Sequence, residues 1–166
     1  MHNEMTLSVK SKNNVSRYLF LGLIGTALIF ILAAYFGAAY SGILWLVALG
    51  FITAAIYVYN GHVAAEYYYE IRNDGGRESF VVNMRVGKTS RTLARLDLWS
   101  IAEVRRMTGK EYRAYKCEKK IIKYPYFPTL FPESVYLVSI RSEYENADIF
   151  IEATEEFAQA LMQIEN

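Results

Sequence analysis

The feature that most constrains this chain is a long stretch without charge. From Tyr18 through Ala65 the sequence contains no Asp, Glu, Lys or Arg. A short break divides this stretch into two apolar runs, residues 18–40 and 43–62. At a rise of about 1.5 Å per residue, each run can form a helix that crosses a hydrocarbon core of about 30 Å. The sequence therefore predicts a transmembrane helical hairpin over residues 18–65.

Basic residues on both sides of the hairpin predict its orientation. The turn between the two runs is uncharged, and the flanks carry Lys10, Lys12, Arg17, Arg72 and Arg77. Because Lys and Arg concentrate in cytoplasmic segments, we expect a cytoplasmic N-terminal tail over residues 1–17 and a cytoplasmic C-terminus. The chain would then be integral to the inner membrane. A cleaved signal peptide is the alternative for the first run, but the apolar core of such a peptide spans only about 7 to 15 residues.

The composition of the two runs also bears on function. They lack the acidic and basic side chains that mark ion and proton pathways, so we do not expect a transporter or channel formed by this chain by itself. Small residues spaced by four, such as Gly50 and Ala54, would let helix backbones approach closely. That close approach could occur within the hairpin or in a homodimer.

After the hairpin, residues 66–166 form a segment of the size of one small domain. Apolar and polar residues alternate there in short runs, which is the pattern of half-buried strands. Asn73 to Gly76 supplies turn residues between the first two runs. Thr154 begins a final segment with apolar residues at helical spacing, which predicts a C-terminal helix. Four further strands are predicted at residues 111–118, 120–124, 135–142 and 148–152.

This order of strands closed by one helix resembles a known family. Tyr69-Glu70-Ile71 precedes a glycine-containing turn, and the apolar pattern of residues 96–104 follows before the closing helix. The segment is similar to the bacterial pleckstrin-homology-like domains that lie beside transmembrane hairpins. The resemblance implies a mainly β (α+β) PH-like barrel with a C-terminal α-helix, which acts as a binding or assembly module. The family supplies no ligand residues that can be transferred to this chain.

The sequence shows no pattern typical of a catalytic or metal site. The only histidines are His2 and His62, and Cys117 is the single cysteine, so no metal-ligand spacing is present. No nucleophile motif is recognisable. We therefore expect a non-enzyme without cofactors. The alternative is a small membrane-bound enzyme whose active site, in the soluble domain, would use Asp97, Glu103 or tyrosine side chains.

Charge is divided unevenly along the soluble domain. Between Arg72 and Lys123 there are fourteen Lys or Arg against six Asp or Glu, whereas from Glu133 onward one Arg opposes eight acids. This asymmetry predicts one basic and one acidic surface. Nucleic acid is not expected as a partner, because the chain is close to neutral overall.

The densest basic cluster lies next to an apolar loop with three prolines, residues 124–132. Basic side chains near the inner leaflet are attracted to anionic lipid headgroups. The loop could cover the open end of the β domain, rest at the bilayer interface or dock on a membrane-protein partner. The candidate contact residues for lipid or a partner are Lys116, Lys119, Lys120, Lys123, Tyr124, Tyr126, Phe127, Leu130 and Phe131.

Overall fold

A computed structural model of the chain describes residues 5–10, 14–37, 40–118, 121–141 and 146–162. The chain divides into two compact units. One unit is the apolar segment, Ser11–Ala65, and the other joins Met1–Lys10 to Glu66–Asn166. We refer to them as the membrane unit and the soluble unit.

The membrane unit contains two helices that are long and apolar enough to cross a membrane. Helix α1 spans Val15–Tyr35, and α2 spans Ser41–Val58 and continues as a π-helical turn over Tyr59–Val63. The first helix ends earlier than the sequence predicted. Gly37 and Tyr40 adopt positive φ angles of 79° and 73°, which a right-handed helix does not allow, and so the chain turns there.

Small side chains pack the two helices together. Ala27 and Ala34 of α1 are buried, as are Ala48 and Ala55 of α2, and both pairs have a spacing of seven residues. This spacing returns to nearly the same helix face after two turns, so each helix presents a narrow alanine stripe to the other. Phe30 and Phe51 stack beside the stripe with ring centroids 5.7 Å apart. Gly50 and Ala54 are exposed and do not belong to this packing.

The soluble unit begins with an antiparallel pair of strands. One strand precedes the membrane unit in the sequence and the other follows it. Strand β1, Met5–Lys10, pairs with β2, Ala65–Asp74, so that Lys10 lies opposite Glu66. The sequence pattern did not predict β1. The sheet continues through β3 and β4 in the order β1-β2-β3-β4, with bounds Arg77–Val86 and Thr89–Asp97.

The predicted turn between β2 and β3 is present, because Gly75 and Gly76 connect the two strands. Both have positive φ angles, 65° and 92°, which glycine adopts without steric cost. The Gly76 amide donates to Asn73 Oδ1 over 3.0 Å. A two-residue connection of this kind requires the strands to run antiparallel.

A second four-stranded sheet has the order β5-β7-β8-β6. Neighbouring strands are antiparallel except that β6 runs parallel to β8. A short 3-10 turn, Leu98–Ser100, connects the two sheets. The elements of this half are β5 Ile101–Thr108, α3 Gly109–Lys116, β6 Ile122–Pro125, β7 Ser134–Arg141, β8 Asn146–Ile151 and α4 Glu155–Met162.

The strand predicted over residues 111–118 is wrong, because this segment lies largely in helix α3. Thr108 and Glu111 form a capping box at its start: the Glu111 amide donates to Thr108 Oγ1 over 3.3 Å, and the Thr108 amide donates to Glu111 Oε2 over 2.7 Å. These bonds satisfy amides that have no partner within a helix. Tyr112 and Tyr115, three residues apart, then lie on one helix face instead of alternating as in a strand.

Two aromatic clusters fill the soluble unit. Phe157 of α4 packs against Tyr69 and Phe80, with centroid distances of 6.2 Å to each ring. The Phe157 amide donates to the predicted cap, Thr154 Oγ1, over 3.3 Å. The second cluster contains the buried residues Met107, Tyr112, Phe127, Val135, Leu137 and Phe150.

The coarse prediction of two apolar helices followed by a β-rich α+β domain with a C-terminal helix is therefore confirmed. Among the described residues, both sheets are open and no strand ladder closes them into a barrel.

Candidate functional site

The predicted contact segment begins at the end of α3, and its lysines have different environments. Lys116 is exposed. Lys123 is half-buried, with Nζ 4.3 Å from the centroid of the Tyr115 ring. Its ammonium donates to the Tyr115 carbonyl and, over 2.5 Å, to the Glu118 carbonyl. Lys123 thus satisfies carbonyl groups at the C-terminal end of α3, where a cation is favourable. Lys119 and Lys120 lie outside the described residues.

The aromatic residues after Lys123 join the two sheets. Tyr124 and Tyr126 are half-buried and stack with ring centroids 5.8 Å apart. The Tyr126 carbonyl accepts from the Tyr69 hydroxyl over 2.5 Å, and the Tyr126 hydroxyl donates to the Leu93 carbonyl over 3.4 Å. These contacts reach β2 and β4 of the first sheet. Tyr126 therefore connects the sheets through side chains and not through a strand ladder.

The rest of the proline loop is largely built into the soluble unit. Phe127 is buried, and its ring meets Tyr112 edge-on at a centroid distance of 5.5 Å. Thr129 Oγ1 donates to Glu152 Oε2 over 2.7 Å. Leu130 is half-buried, whereas the side chain of Phe131 is 56% exposed. Among the described candidate residues, only Lys116 and Phe131 are classed as exposed.

A buried polar network lies beneath this segment. Asp148 of β8 is fully buried. Its Oδ2 accepts from the Tyr115 hydroxyl over 2.6 Å, and its Oδ1 accepts from Ser139 Oγ over 3.0 Å and from Arg141 Nη1 over 3.2 Å. Three donors on α3 and β7 therefore converge on one carboxylate, which compensates the cost of removing it from water. Sequence reasoning missed this network, because an acid in an alternating strand pattern is equally compatible with a solvent-facing position.

The network predicts an alkaline dependence of stability. The hydrogen bond to Asp148, assisted by burial, raises the pKa of Tyr115 from 10.0 to about 12. A raised pKa of a phenol means that the folded state favours the protonated form. The stabilisation is therefore fully present below pH 10 and is lost as the pH rises toward about 12.

Tyr115→Phe should reduce the free energy of unfolding by about 1–2 kcal/mol at neutral pH, because it removes one hydrogen bond to a carboxylate and keeps the ring over which Lys123 lies. The difference from the unmodified protein should shrink as the pH rises from 10 to about 12. Denaturant unfolding at several pH values measures this. Burial also raises the pKa of Tyr69, but that effect is common to both proteins and cancels in the comparison. If the difference in free energy of unfolding between the two proteins does not change with pH, the stabilising role of the Tyr115–Asp148 hydrogen bond is contradicted.

Asp97 and Glu103, the two acids of the enzyme alternative, both lie at the surface. Asp97 is exposed at the end of β4. Glu103 is exposed on β5, with Oε1 3.8 Å from Arg105 Nε. Within the described residues, no group of three His, Cys, Asp or Glu side chains has the geometry to hold a metal ion.

Comparison with known proteins finds no match, either to a protein-family model or to a curated protein. The class of this protein is therefore described from the features of its own sequence and fold. It has two candidate membrane-spanning helices and a β-rich unit with a C-terminal helix.

Proposed function

We propose that this chain is a membrane-anchored binding or scaffolding module whose soluble unit acts at the cytoplasmic face of the inner membrane. The observation that carries the proposal is the pairing of β1 with β2. β1 precedes the apolar helices and β2 follows them, yet the two strands are hydrogen-bonded along their length. Strands of one sheet cannot lie on opposite sides of a bilayer, so this pairing supports a hairpin whose two ends return to the same side.

A PH-like identity of the soluble unit is part of this proposal. Two sheets joined by a short turn, and a C-terminal helix whose Phe157 packs on the first sheet, support it. The unit departs from a simple barrel because helix α3 is inserted and β6 runs parallel to β8. The Tyr69 hydroxyl donates to the Tyr126 carbonyl and the Tyr126 hydroxyl donates to the Leu93 carbonyl, so hydrogen bonds outside the strand ladders also join the two sheets.

Exposed aromatic side chains favour a role in binding. Trp99, in the turn between the sheets, is 79% exposed, and Phe131 is 56% exposed. Large aromatic rings are enriched among the residues that contribute most to protein interfaces and are also favourable at a bilayer interface. The backbone that follows Phe131 lies against the start of α3, where the Gly109 amide donates to the Glu133 carbonyl over 2.7 Å. The proposed partner is a membrane protein, with anionic lipid as the alternative.

Photo-crosslinking in native membranes tests this function. A photoreactive amino acid would replace Phe131 in one variant and Trp99 in another, with exposed Gln159 of α4 as the control position. We expect a discrete protein adduct from Phe131 or Trp99 that is absent from Gln159. Recovery of lipid adducts alone would favour the lipid alternative. Adducts no stronger than those of the control would contradict a binding role for these aromatic residues.

A further inference from the structure

One end of the first sheet gathers basic residues that are far apart in sequence. β1 ends at Lys10, opposite Glu66 near the start of β2. Because β2 and β3 each contain ten residues and are joined by a tight turn, the end of β3 at Arg85 lies beside the start of β2. The β3–β4 turn contributes Lys88, and the first part of β4 contributes Arg91. We call these four residues the basic rim: Lys10, Arg85, Lys88 and Arg91.

All four side chains of the basic rim belong to exposed residues. The acid among them is Glu66, whose Oε1 lies 2.5 Å from Lys10 Nζ and whose Oε2 accepts from the Tyr68 hydroxyl over 2.6 Å. These two bonds, with a smaller effect of Arg85, hold the pKa of the Glu66 carboxyl below its usual value. Arg85 Nε donates to the Gly87 carbonyl over 3.0 Å, which orders the turn that carries Lys88. The four cations of the rim therefore outnumber the Glu66 carboxylate beside them.

Only short linkers join the strands of the basic rim to the apolar helices in sequence. Five peptide links join Lys10 to Val15, the first residue of α1, and three join Val63 at the end of the π-helical turn to Glu66. An extended residue spans at most about 3.6 Å, so the linker after Lys10 reaches at most roughly 18 Å. A surface tethered at this range meets lipid headgroups at high effective concentration.

We propose that the basic rim binds the anionic lipid headgroups of the bilayer that the hairpin crosses. Ammonium and guanidinium groups both form charge-assisted hydrogen bonds with phosphate oxygens. Each Lys or Arg held near an anionic leaflet strengthens the association about fivefold. The inference rests on the proposed membrane anchoring. It places the lipid contact on β1 and the β3–β4 turn, and not on the segment around Lys116.

The test uses the full chain in lipid nanodiscs. Cys117 is the single cysteine, so a Cys117→Ser, Ser90→Cys variant carries one fluorophore at an exposed position opposite Arg85. Lipids with a quencher on the headgroup report contact of the rim with the bilayer. We expect stronger quenching in nanodiscs with anionic lipid than in neutral ones. At about 1 M salt, where the screening length falls to about 3 Å, the difference should disappear.

Two triple variants with the same change in charge locate the contact. Arg85→Gln, Lys88→Gln, Arg91→Gln removes three charges and should weaken docking about a hundredfold. Arg77→Gln, Lys110→Gln, Lys116→Gln, which neutralises three exposed cations elsewhere on the unit, should retain it. The charge-conserving variant Arg85→Lys, Arg91→Lys should also retain docking, which separates loss of charge from loss of fold.

Two outcomes would overturn the proposal. They are quenching that is indifferent to lipid charge and equal loss of quenching in the two triple variants. Failure of membrane anchoring itself is recognised separately, because the chain would then be released from native membranes by an alkaline carbonate wash. If the chain stays in the membrane but quenching does not depend on lipid charge, only the proposed lipid binding by the basic rim is contradicted, and membrane anchoring stands.

Discussion

Asp148→Ala is expected to lower the free energy of unfolding of the soluble unit by about 3 kcal/mol. The substitution removes a fully buried carboxylate and leaves the Tyr115 and Ser139 hydroxyls without their acceptor. Removing one member of a buried ion pair costs about 3–5 kcal/mol when the other charge stays buried. Arg141 is 40% exposed and can regain water, so the lower end of this range applies.

Denaturant unfolding of the full chain in detergent or nanodiscs measures this effect. Limited proteolysis reports the unfolded fraction of the soluble unit at each denaturant concentration. Glu103→Ala is the matched control, because it also removes an acid that pairs with an arginine. The Glu103 and Arg105 side chains are both more than half exposed, so their separation should cost less than about 1 kcal/mol. Equal effects of the two substitutions would show that Asp148 does not hold α3 and β7 together.

Gly109→Ala should destabilise the same unit by about 3 kcal/mol or more, for a steric reason. A Cβ atom at Gly109 would lie 2.1 Å from the Pro132 carbonyl oxygen, which is far inside van der Waals contact. The obstacle is backbone, so no side-chain rotation relieves it. The Gly109 amide donates to the Glu133 carbonyl over 2.7 Å, and Thr108 pairs with Ser134 in the sheet, so separating the two segments breaks these bonds.

The same unfolding measurement tests this prediction, with Lys110→Ala as the control. Lys110 is the next residue of α3, is exposed, and should accept alanine with a change within about 0.5 kcal/mol. We also expect Gly109→Ala to increase proteolysis within the proline loop, because the loop is held against the start of α3 at this point. A stable Gly109→Ala protein would contradict the close approach of the two backbones.

Some features of this chain follow from its sequence because they depend on local composition. A long apolar stretch without charge is favourable inside protein or lipid and not in water, so the two long helices were predictable from Tyr18–Ala65. Gly75 and Gly76 permit positive φ angles wherever they occur, so the β2–β3 turn was also predictable. The C-terminal helix followed from Thr154 and apolar residues at helical spacing.

Other features could not be predicted from the sequence, because they depend on contacts between segments that are far apart in the chain. The strand predicted at residues 111–118 became a helix, because its Thr108–Glu111 capping box and the packing of Tyr112 outweigh local alternation. Strand β1 was missed, because only pairing with β2, beyond the whole membrane unit, makes that tail a strand. Lys123 and Tyr126 were predicted as candidate contact residues for lipid or a partner, and the bonds of both to carbonyl groups of other elements could not be predicted from the sequence.

The sequence by itself determined that part of this protein must leave water and that the rest is a β-rich unit with a C-terminal helix. Only the tertiary structure decided which charges lie together. Lys10 and Arg85 are separated by the entire hairpin in sequence and come to lie on either side of Glu66 at one end of a sheet, while Asp148 is enclosed by donors from α3 and β7. The physical reason is that the length of an apolar run is a property of neighbouring residues. Burial and charge clustering depend instead on contacts between distant segments, which no local pattern specifies.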